Sequence, residues 1–169
     1  MRIGYVCAEG KGEADRLLGD LAGRLLARRL RLAGVVQVNS DRADGNGCDM
    51  DVTVLPSGPV IRISQSLGSG SSGCRLDAGA LEQAVGLVEP GLSGAELLMI
   101  NKFGKHEAEG RGFRDLIGAA LAEGIPVLAG VNPKNLAAFL AFAGEFAVAL
   151  PADVPRLEAW VLETAGQPA

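Results

Sequence analysis

Residues 97–113 read Leu97-Leu-Met-Ile-Asn-Lys-Phe-Gly-Lys-His-Glu-Ala-Glu-Gly-Arg-Gly-Phe113. The segment begins with a short apolar run, which is typical of a fully buried strand. The run then changes to a loop with two lysines, one arginine, the only histidine of the chain, two glutamates and three glycines. Ligands of an α/β sheet bind just beyond the carboxyl ends of its strands. The transition after Ile100 therefore predicts a ligand site.

Apolar runs and helical periodicities alternate on both sides of this segment. The predicted strands are Ile3 to Ala8, Val35 to Val38, Ala95 to Ile100, Ile125 to Val131 and Ala147 to Leu150. The predicted helices are Glu13 to Leu32, a helix that Asp77 caps and that runs to about Glu89, Phe113 to Glu123, Leu136 to Phe142 and Val154 to Thr164. Gly34 is expected to end the first helix, with Arg28 complementing its negative end in the solvent. The alternation predicts an α/β fold with a doubly wound, mainly parallel sheet and flanking helices.

Residues 39–76 interrupt this alternation. Two short runs, Asp51 to Leu55 and Val60 to Ser64, flank the turn signature Pro56-Ser-Gly-Pro59 and predict a β-hairpin. A Gly- and Ser-rich segment from Ser64 to Arg75 follows, whose composition suits either a linker or a site loop. We interpret residues 1–169 as one domain with a hairpin and a Gly/Ser loop inserted at about 39–76.

Composition excludes several classes of protein. The net charge of −4 and the isoelectric point near 5.0 argue against general binding to nucleic acid or to a membrane surface. No apolar run approaches the roughly 20 residues that span a bilayer, and no signal-peptide pattern follows Met1. The three cysteines form no Cys-x-x-Cys pair, so free thiols in the cytoplasm are expected. Homo-oligomerisation stays open.

The first strand-to-helix turn reads Cys7-Ala-Glu-Gly-Lys-Gly-Glu13. Gly10, Lys11 and Gly12 are residue types of a phosphate-binding loop, in which glycines admit the ligand and a lysine meets the phosphates. No Ser or Thr follows Lys11 to bind Mg²⁺, and two glutamates would repel a polyphosphate. A degenerate phosphate loop and a plain tight turn both fit this pattern.

The loop after the strand at residues 97–100 predicts an anion clamp. Its amide and cations are Asn101, Lys102, Lys105 and Arg111. Glu107 and Glu109 are the candidate acids, bases or metal ligands, although catalytic residues are not identified. The alternative is a solvated loop whose opposite charges pair locally. His106 alone is more typical of a surface residue than of a ligand.

The Gly/Ser loop provides backbone N–H groups and hydroxyls that suit a tetrahedral oxyanion such as phosphate, sulfate or molybdate. Its candidate ligand-binding residues are Ser69, Gly70, Ser71, Ser72, Gly73 and Arg75. A flexible surface loop is the alternative. Because no ligand spacing supports a soft-metal site at Cys48, Cys74 and His106, no metal is predicted.

Several motifs along the chain resemble family 2478, a bacterial family of proteins of unknown function that is grouped with the P-loop NTPases. The motifs are Gly34-Val-Val-Gln37, Cys48-Asp-Met-Asp51, Ile63-Ser-Gln65, Gly73-Cys-Arg-Leu-Asp77 and Asn101-Lys-Phe-Gly-Lys105. The resemblance implies a P-loop-NTPase-like fold. Since members are often encoded near molybdate-transport functions, it also implies a link to molybdenum.

The chain is more distantly similar to small nucleoside-triphosphatases. In that group the corresponding strand ends in Asp-Glu, and Gly104, Lys105, Glu107 and Phe113 match the residues that follow. Asn101 stands in place of the Mg²⁺-linked aspartate, and Lys102 in place of the activating glutamate. The similarity therefore predicts the fold better than it predicts hydrolysis.

Together these features predict a protein that binds a small oxyanion (molybdate, phosphate or sulfate) or a phosphorylated ligand such as a nucleotide. Catalysis is not expected from the altered site. The alternatives are an active nucleoside-triphosphatase with a changed mechanism and a non-catalytic regulatory or scaffolding partner of molybdate uptake.

Overall fold

The computed structural model describes residues 2–8, 10, 12–41, 48–65 and 75–165. Its strands, in chain order, are β1 Ile3–Val6, β2 Leu32–Asp41, β3 Cys48–Val54, β4 Val60–Arg62, β5 Ser64–Gln65, β6 Arg75–Leu76, β7 Leu97–Phe103, β8 Val127–Val131 and β9 Ala147–Leu150. Its α-helices are α1 Glu13–Ala27, α2 Ala78–Val88, α3 Lys105–Ala108, α4 Arg114–Ala122, α5 Leu136–Ala143 and α6 Val154–Ala165. Short 3₁₀ turns span Glu89–Gly91, Pro133–Asn135 and Gly144–Phe146.

Within these ranges, seven strands form one sheet in the order β4-β3-β2-β7-β8-β1-β9. The five strands β2, β7, β8, β1 and β9 run parallel to one another, whereas β3 and β4 add an antiparallel edge beside β2. The strands β5 and β6 form a separate antiparallel pair at the two ends of the Gly/Ser loop. The mainly parallel α/β fold and the small hairpin are confirmed.

Helices cover both faces of the sheet, because side chains alternate along each buried strand. Leu98 and Ile100 of β7 belong to the core beneath α2, α4 and α5. Leu97 and Met99 belong to the core beneath α1 and α6. No described helix combines the length and the apolar character that crossing a bilayer requires.

The first helix ends earlier than its periodicity predicts. Arg29 adopts a left-handed φ of 65°. Its N–H donates to Leu26 O over 2.8 Å, and Leu30 N donates to Leu25 O over 3.1 Å. This pairing is the helix-ending arrangement that a glycine usually provides. The expectation that Gly34 ends the helix is therefore wrong.

Gly34 instead lies within β2 with a φ of +117°. A Cβ at this position would stand 1.9 Å from the carbonyl oxygen of Met99 on β7. Only glycine combines this conformation with such a close approach. Gly34 therefore permits the pairing of β2 with β7, which aligns the strand ends that carry the site.

The side chain of Arg28 is more than half exposed, as its position at the helix end suggests, but it is also ion-paired. Its Nε donates to Glu158 of α6 over 2.6 Å, and Arg24 lies 3.4 Å from the same carboxylate. The two arginines hold the pKa of Glu158 below its usual value, through hydrogen bonding to Arg28 first. The end of α1 is thereby tied to α6.

Candidate functional site

Two adjoining depressions open at the carboxyl edge of β2, β7 and β8. We call the first, of about 340 Å³, the apolar pocket, and the second, of about 580 Å³, the edge cleft. The side chains that line both are Gln37, Met50, Asn101, Lys102 and Asn132. The segment that follows Ile100 therefore meets the ends of neighbouring strands, where an α/β sheet binds its ligands.

An irregularity in β7 shapes this edge. Ile100 pairs with Ala129 and Phe103 with Val131, so β7 carries one extra residue between the two pairs. A Cβ at Gly130 of β8 would lie 2.3 Å from the carbonyl oxygen of Asn101. Such a bulge redirects side chains next to a site. It places Asn101 inside the protein and Lys102 on the surface.

A network of three amides and one carboxylate lines the edge cleft next to α1. Asn101 Nδ2 donates to Asp15 Oδ1 over 2.7 Å, and Asn39 Nδ2 donates to the other carboxylate oxygen of Asp15. Gln37 Nε2 donates in turn to Asn39 Oδ1 over 2.7 Å. Asp15 is only 7% exposed, and it lies in the first turn of α1. Both carboxylate oxygens of Asp15 thus accept side-chain N–H donors from neighbouring strands.

The orientation of the Asn101 amide follows from one backbone bond. Gln37 N donates to Asn101 Oδ1 over 2.9 Å, and a backbone N–H can only donate. The oxygen of Asn101 is therefore held towards β2, and its NH₂ group is held towards Asp15. Since an NH₂ group does not coordinate a cation, Asn101 does not replace the carboxylate that would bind Mg²⁺.

The turn before α1 is also changed from a phosphate loop. Gly12 precedes the helix with a φ of 72°, and no side chain caps it. Gly10 N donates to Glu13 Oε2 over 3.3 Å, so a carboxylate already faces this backbone donor. Both glycines border the edge cleft. Lys11 lies outside the described residues.

The predicted anion clamp is mostly paired within its own loop. The residues around the short helix α3 bring Glu109 to 2.5 Å from Arg111 and 3.6 Å from Lys105. Arg111 first, and then Lys105, hold the pKa of Glu109 below its usual value. Because all three side chains are exposed, this part of the loop matches the alternative of local pairing in solvent.

Glu107 is a structural carboxylate. It is 3% exposed, and its Oε2 accepts Gly104 N over 2.8 Å while Oε1 accepts Phe113 N over 3.2 Å. A Cβ at Gly112 would stand 2.3 Å from Oε1. Glu107 therefore fixes both ends of the loop, and its oxygens are occupied by backbone donors.

Lys102 differs from the other cations of the loop. It is exposed at the junction of the apolar pocket and the edge cleft, and it forms no ion pair with any residue that the structure describes. His106 lines the apolar pocket at half-burial. Arg75, at the end of the Gly/Ser loop, is exposed and pairs through its backbone with Gln65.

The remaining candidates, Ser69, Gly70, Ser71, Ser72 and Gly73, lie outside the described residues. Sequence reasoning missed Asp15, Gln37 and Asn39. Asp15 shares a helical stripe with the buried Leu18, Ala22 and Leu25. A carboxylate on such a stripe is the signal that could have revealed the network.

The described cysteines differ in their bonding. Cys7 is a free thiol, but Cys48 is disulfide-bonded, so the expectation of free thiols is wrong for Cys48. Across the described ranges, no three His, Cys, Asp or Glu side chains converge as a metal site would require.

Residues 3–160 match the family described as "Protein of unknown function (DUF2478)", and the chain belongs to this family. The chain is also 37% identical over 169 residues to the "Molybdenum import ATP-binding protein ModC 2" of Bradyrhizobium diazoefficiens. That match covers 98% of the chain but only 19% of the relative, so the chain spans about a fifth of the relative's length.

Two solved structures are similar in fold. The crystal structure of THEP1 from the hyperthermophile Aquifex aeolicus has a TM-score of 0.62 at 17% identity, with 96% of each chain covered. The solution structure of a human cancer-related nucleoside triphosphatase has a TM-score of 0.58 at 17% identity, with 96% of this chain and 94% of that chain covered. The P-loop-NTPase-like fold is thereby confirmed, whereas activity does not follow from fold.

Proposed function

We propose that this member of the DUF2478 family binds a small oxyanion or a phosphorylated ligand at the edge cleft, in a role connected with molybdenum. The observation that carries the proposal is Lys102, a cation without an ion-pair partner among the described residues, beside the uncharged amides of Asn101 and Asn132. An ammonium group that is not already neutralised is available to an anion.

The Mg²⁺-nucleotide complex that the fold family implies does not fit these residues. The Asn101 NH₂ group faces Asp15, and the Asp15 oxygens accept two amide donors. Glu13 already accepts a backbone donor of the turn that would hold phosphates. Because a triphosphate would meet Glu13 and Asp15 at the start of α1, a smaller anion near Lys102 fits better.

The molybdenum connection rests on the relative named as a molybdenum import ATP-binding protein. Since the match covers 19% of that relative, this chain corresponds to one part of a longer protein. We propose that this chain, like the part of the relative that it matches, binds the transported anion or a phosphorylated ligand that regulates transport. A regulatory or scaffolding role is the second candidate, because the matched part accompanies an import protein.

An active nucleoside-triphosphatase is the third candidate, and it rests on the fold alone. Glu107 is a poor base for this chemistry, since backbone N–H groups occupy both of its oxygens. Glu109 is available only if its pairs with Arg111 and Lys105 open.

A ligand-stabilisation screen tests the proposal. Molybdate, tungstate, sulfate, phosphate, ATP and GTP are each added to the protein, and the melting temperature is measured. We expect at least one oxyanion to stabilise the wild type at millimolar levels or below and to lose most of its effect in Lys102→Ala. Arg156→Ala, which removes an exposed cation from α6, is the matched control. Equal losses in the two variants would indicate nonspecific charge attraction.

A further inference from the structure

The apolar pocket is a second feature of the site, and an oxyanion alone does not account for it. Its walls come from β2, β3, α2 and the residues around β5 and β6, and they include Val35, Val52, Ile63, Leu76, Leu81 and Phe113. Of these, only Leu76 is more than 8% exposed, so the walls face a recess and not open solvent. A volume of about 340 Å³ lies at the lower end of the range for small-molecule pockets.

The mouth of this pocket is polar, and its groups are of two kinds. Lys102 and His106 stand at the rim, and Lys102 also borders the edge cleft. Gln37 is 5% exposed, and its Nε2 donates to Asn39 Oδ1. No described group donates to its Oε1. The rim therefore offers a cation to an anion and the amide oxygen of Gln37 to an N–H donor.

We infer that the joined pocket and cleft bind a planar heterocycle that carries a single phosphate group. The ring occupies the apolar pocket, a ring N–H donates to Gln37 Oε1, and the phosphate lies near Lys102. A hydrocarbon acid has no N–H group for Gln37, and a bare oxyanion leaves the apolar walls unused. A triphosphate would meet Glu13 and Asp15. The inference deepens the proposed function and rests on it for the position of the phosphate.

The test uses the purified chain and four probes in titration calorimetry: inorganic phosphate, ribose 5-phosphate, guanosine 5′-monophosphate and decanoate. The guanine ring supplies the bicyclic body and the N–H donors. We expect guanosine 5′-monophosphate to bind at least tenfold more tightly than ribose 5-phosphate, and decanoate to bind no more tightly than phosphate. Equal affinity of the nucleotide and the sugar phosphate would overturn the inference, as would decanoate that matches the nucleotide.

A pocket-filling variant locates the ring. Leu76 lines the apolar pocket but not the edge cleft, so Leu76→Trp is expected to remove the tenfold gain and to leave ribose 5-phosphate binding unchanged. Leu87→Trp introduces the same side chain at an exposed position of α2 that lines neither depression, so it is the matched control and should keep the gain. If Leu76→Trp does not fold, the comparison of the four probes on the wild type still decides the inference. A folded Leu76→Trp that keeps the tenfold gain would overturn it.

If the proposed anion site does not exist, the binding results differ from those that would overturn the ring pocket alone. In that case neither phosphate nor ribose 5-phosphate binds, and Lys102→Ala changes nothing. Binding of unphosphorylated guanosine to the wild type, but not to Leu76→Trp, would then support the ring pocket without the anion site. Absence of guanosine binding as well would overturn both.

Discussion

Glu107 provides the sharpest test of how the site loop is built. Replacing it by alanine removes the acceptor of two backbone N–H groups, those of Gly104 and Phe113. Each buried donor that loses its partner costs about 1–3 kcal/mol. Since Glu107 is 3% exposed, water cannot easily replace the carboxylate without rearrangement of the loop. We therefore expect Glu107→Ala to lower the free energy of unfolding by about 2–6 kcal/mol.

Glu107→Gln should have a smaller effect of about 1–3 kcal/mol, because the amide keeps one oxygen acceptor and turns an NH₂ group towards the second backbone donor. For a chain of this size, each kcal/mol lowers the melting temperature by about 2–4 °C. Urea unfolding measures both variants, and an unchanged dependence on urea concentration would show that stability alone has changed.

Glu109→Ala is the matched control, since it removes a neighbouring glutamate whose side chain is 42% exposed. It should leave the urea midpoint unchanged. If Glu107→Ala were no more destabilising than Glu109→Ala, the assignment of Glu107 as a structural carboxylate would be refuted. A Glu107→Gln variant that kept its stability but lost nucleotide turnover would point to a catalytic base.

Three further outcomes follow from other parts of the structure. Mg²⁺-dependent ATP or GTP hydrolysis should stay far below an ordinary turnover of about 1 per second in a phosphate-release assay, because Asn101 presents its NH₂ group to Asp15; turnover at that rate would contradict the site geometry. Gly34→Ala should destabilise the protein by about 3 kcal/mol or more, because its Cβ would clash with the Met99 carbonyl. Gly19→Ala is the control on α1, where a Cβ meets nothing within 4 Å, and it should stabilise the protein by about 0.5–1 kcal/mol. Similar urea midpoints for the two variants would contradict the role of Gly34. Arg28 is the main cause that holds the pKa of Glu158 below its ordinary value of 4.5. The stabilisation from this pair is therefore present above pH 4.5 and is lost as the pH falls through the lowered pKa. Glu158→Gln should remove this part of the decrease of the melting temperature at acid pH, and a variant with the same decrease as the wild type would contradict the assignment.

Much of the fold could be predicted because its signals are local. The strand at residues 97–100 is a continuous apolar run, and Asp77 caps α2 by accepting Ala80 N over 3.0 Å, as its position indicates. The end of α1 could not be predicted, since Arg29 takes a conformation that usually requires glycine. Gly34 appeared to be a helix terminator because its actual constraint, the Met99 carbonyl, belongs to another strand.

The place where the two depressions open could be predicted from the sequence more readily than the contacts of the residues around them. The polar loop that follows Ile100 lies at the edge of the sheet where the apolar pocket and the edge cleft open, and binding there stays a prediction. The roles of the charged residues in this loop could not be predicted, because they depend on the short helix α3. This helix pairs Glu109 with Arg111 and buries Glu107. The Asp15 network joins residues separated by 24 and 86 positions, and such contacts leave no local pattern in a sequence.

Titration of phosphate and molybdate against the wild type and Lys102→Ala, with and without Mg²⁺, tests the central claim most directly. The structure predicts binding at millimolar levels or below that does not require Mg²⁺ and that weakens about tenfold in Lys102→Ala, as expected when about 1.4 kcal/mol of a charge-assisted contact is lost. Arg156→Ala should bind as the wild type does. Binding that depends on Mg²⁺, or that is the same in Lys102→Ala as in the wild type, would contradict an anion site at this lysine.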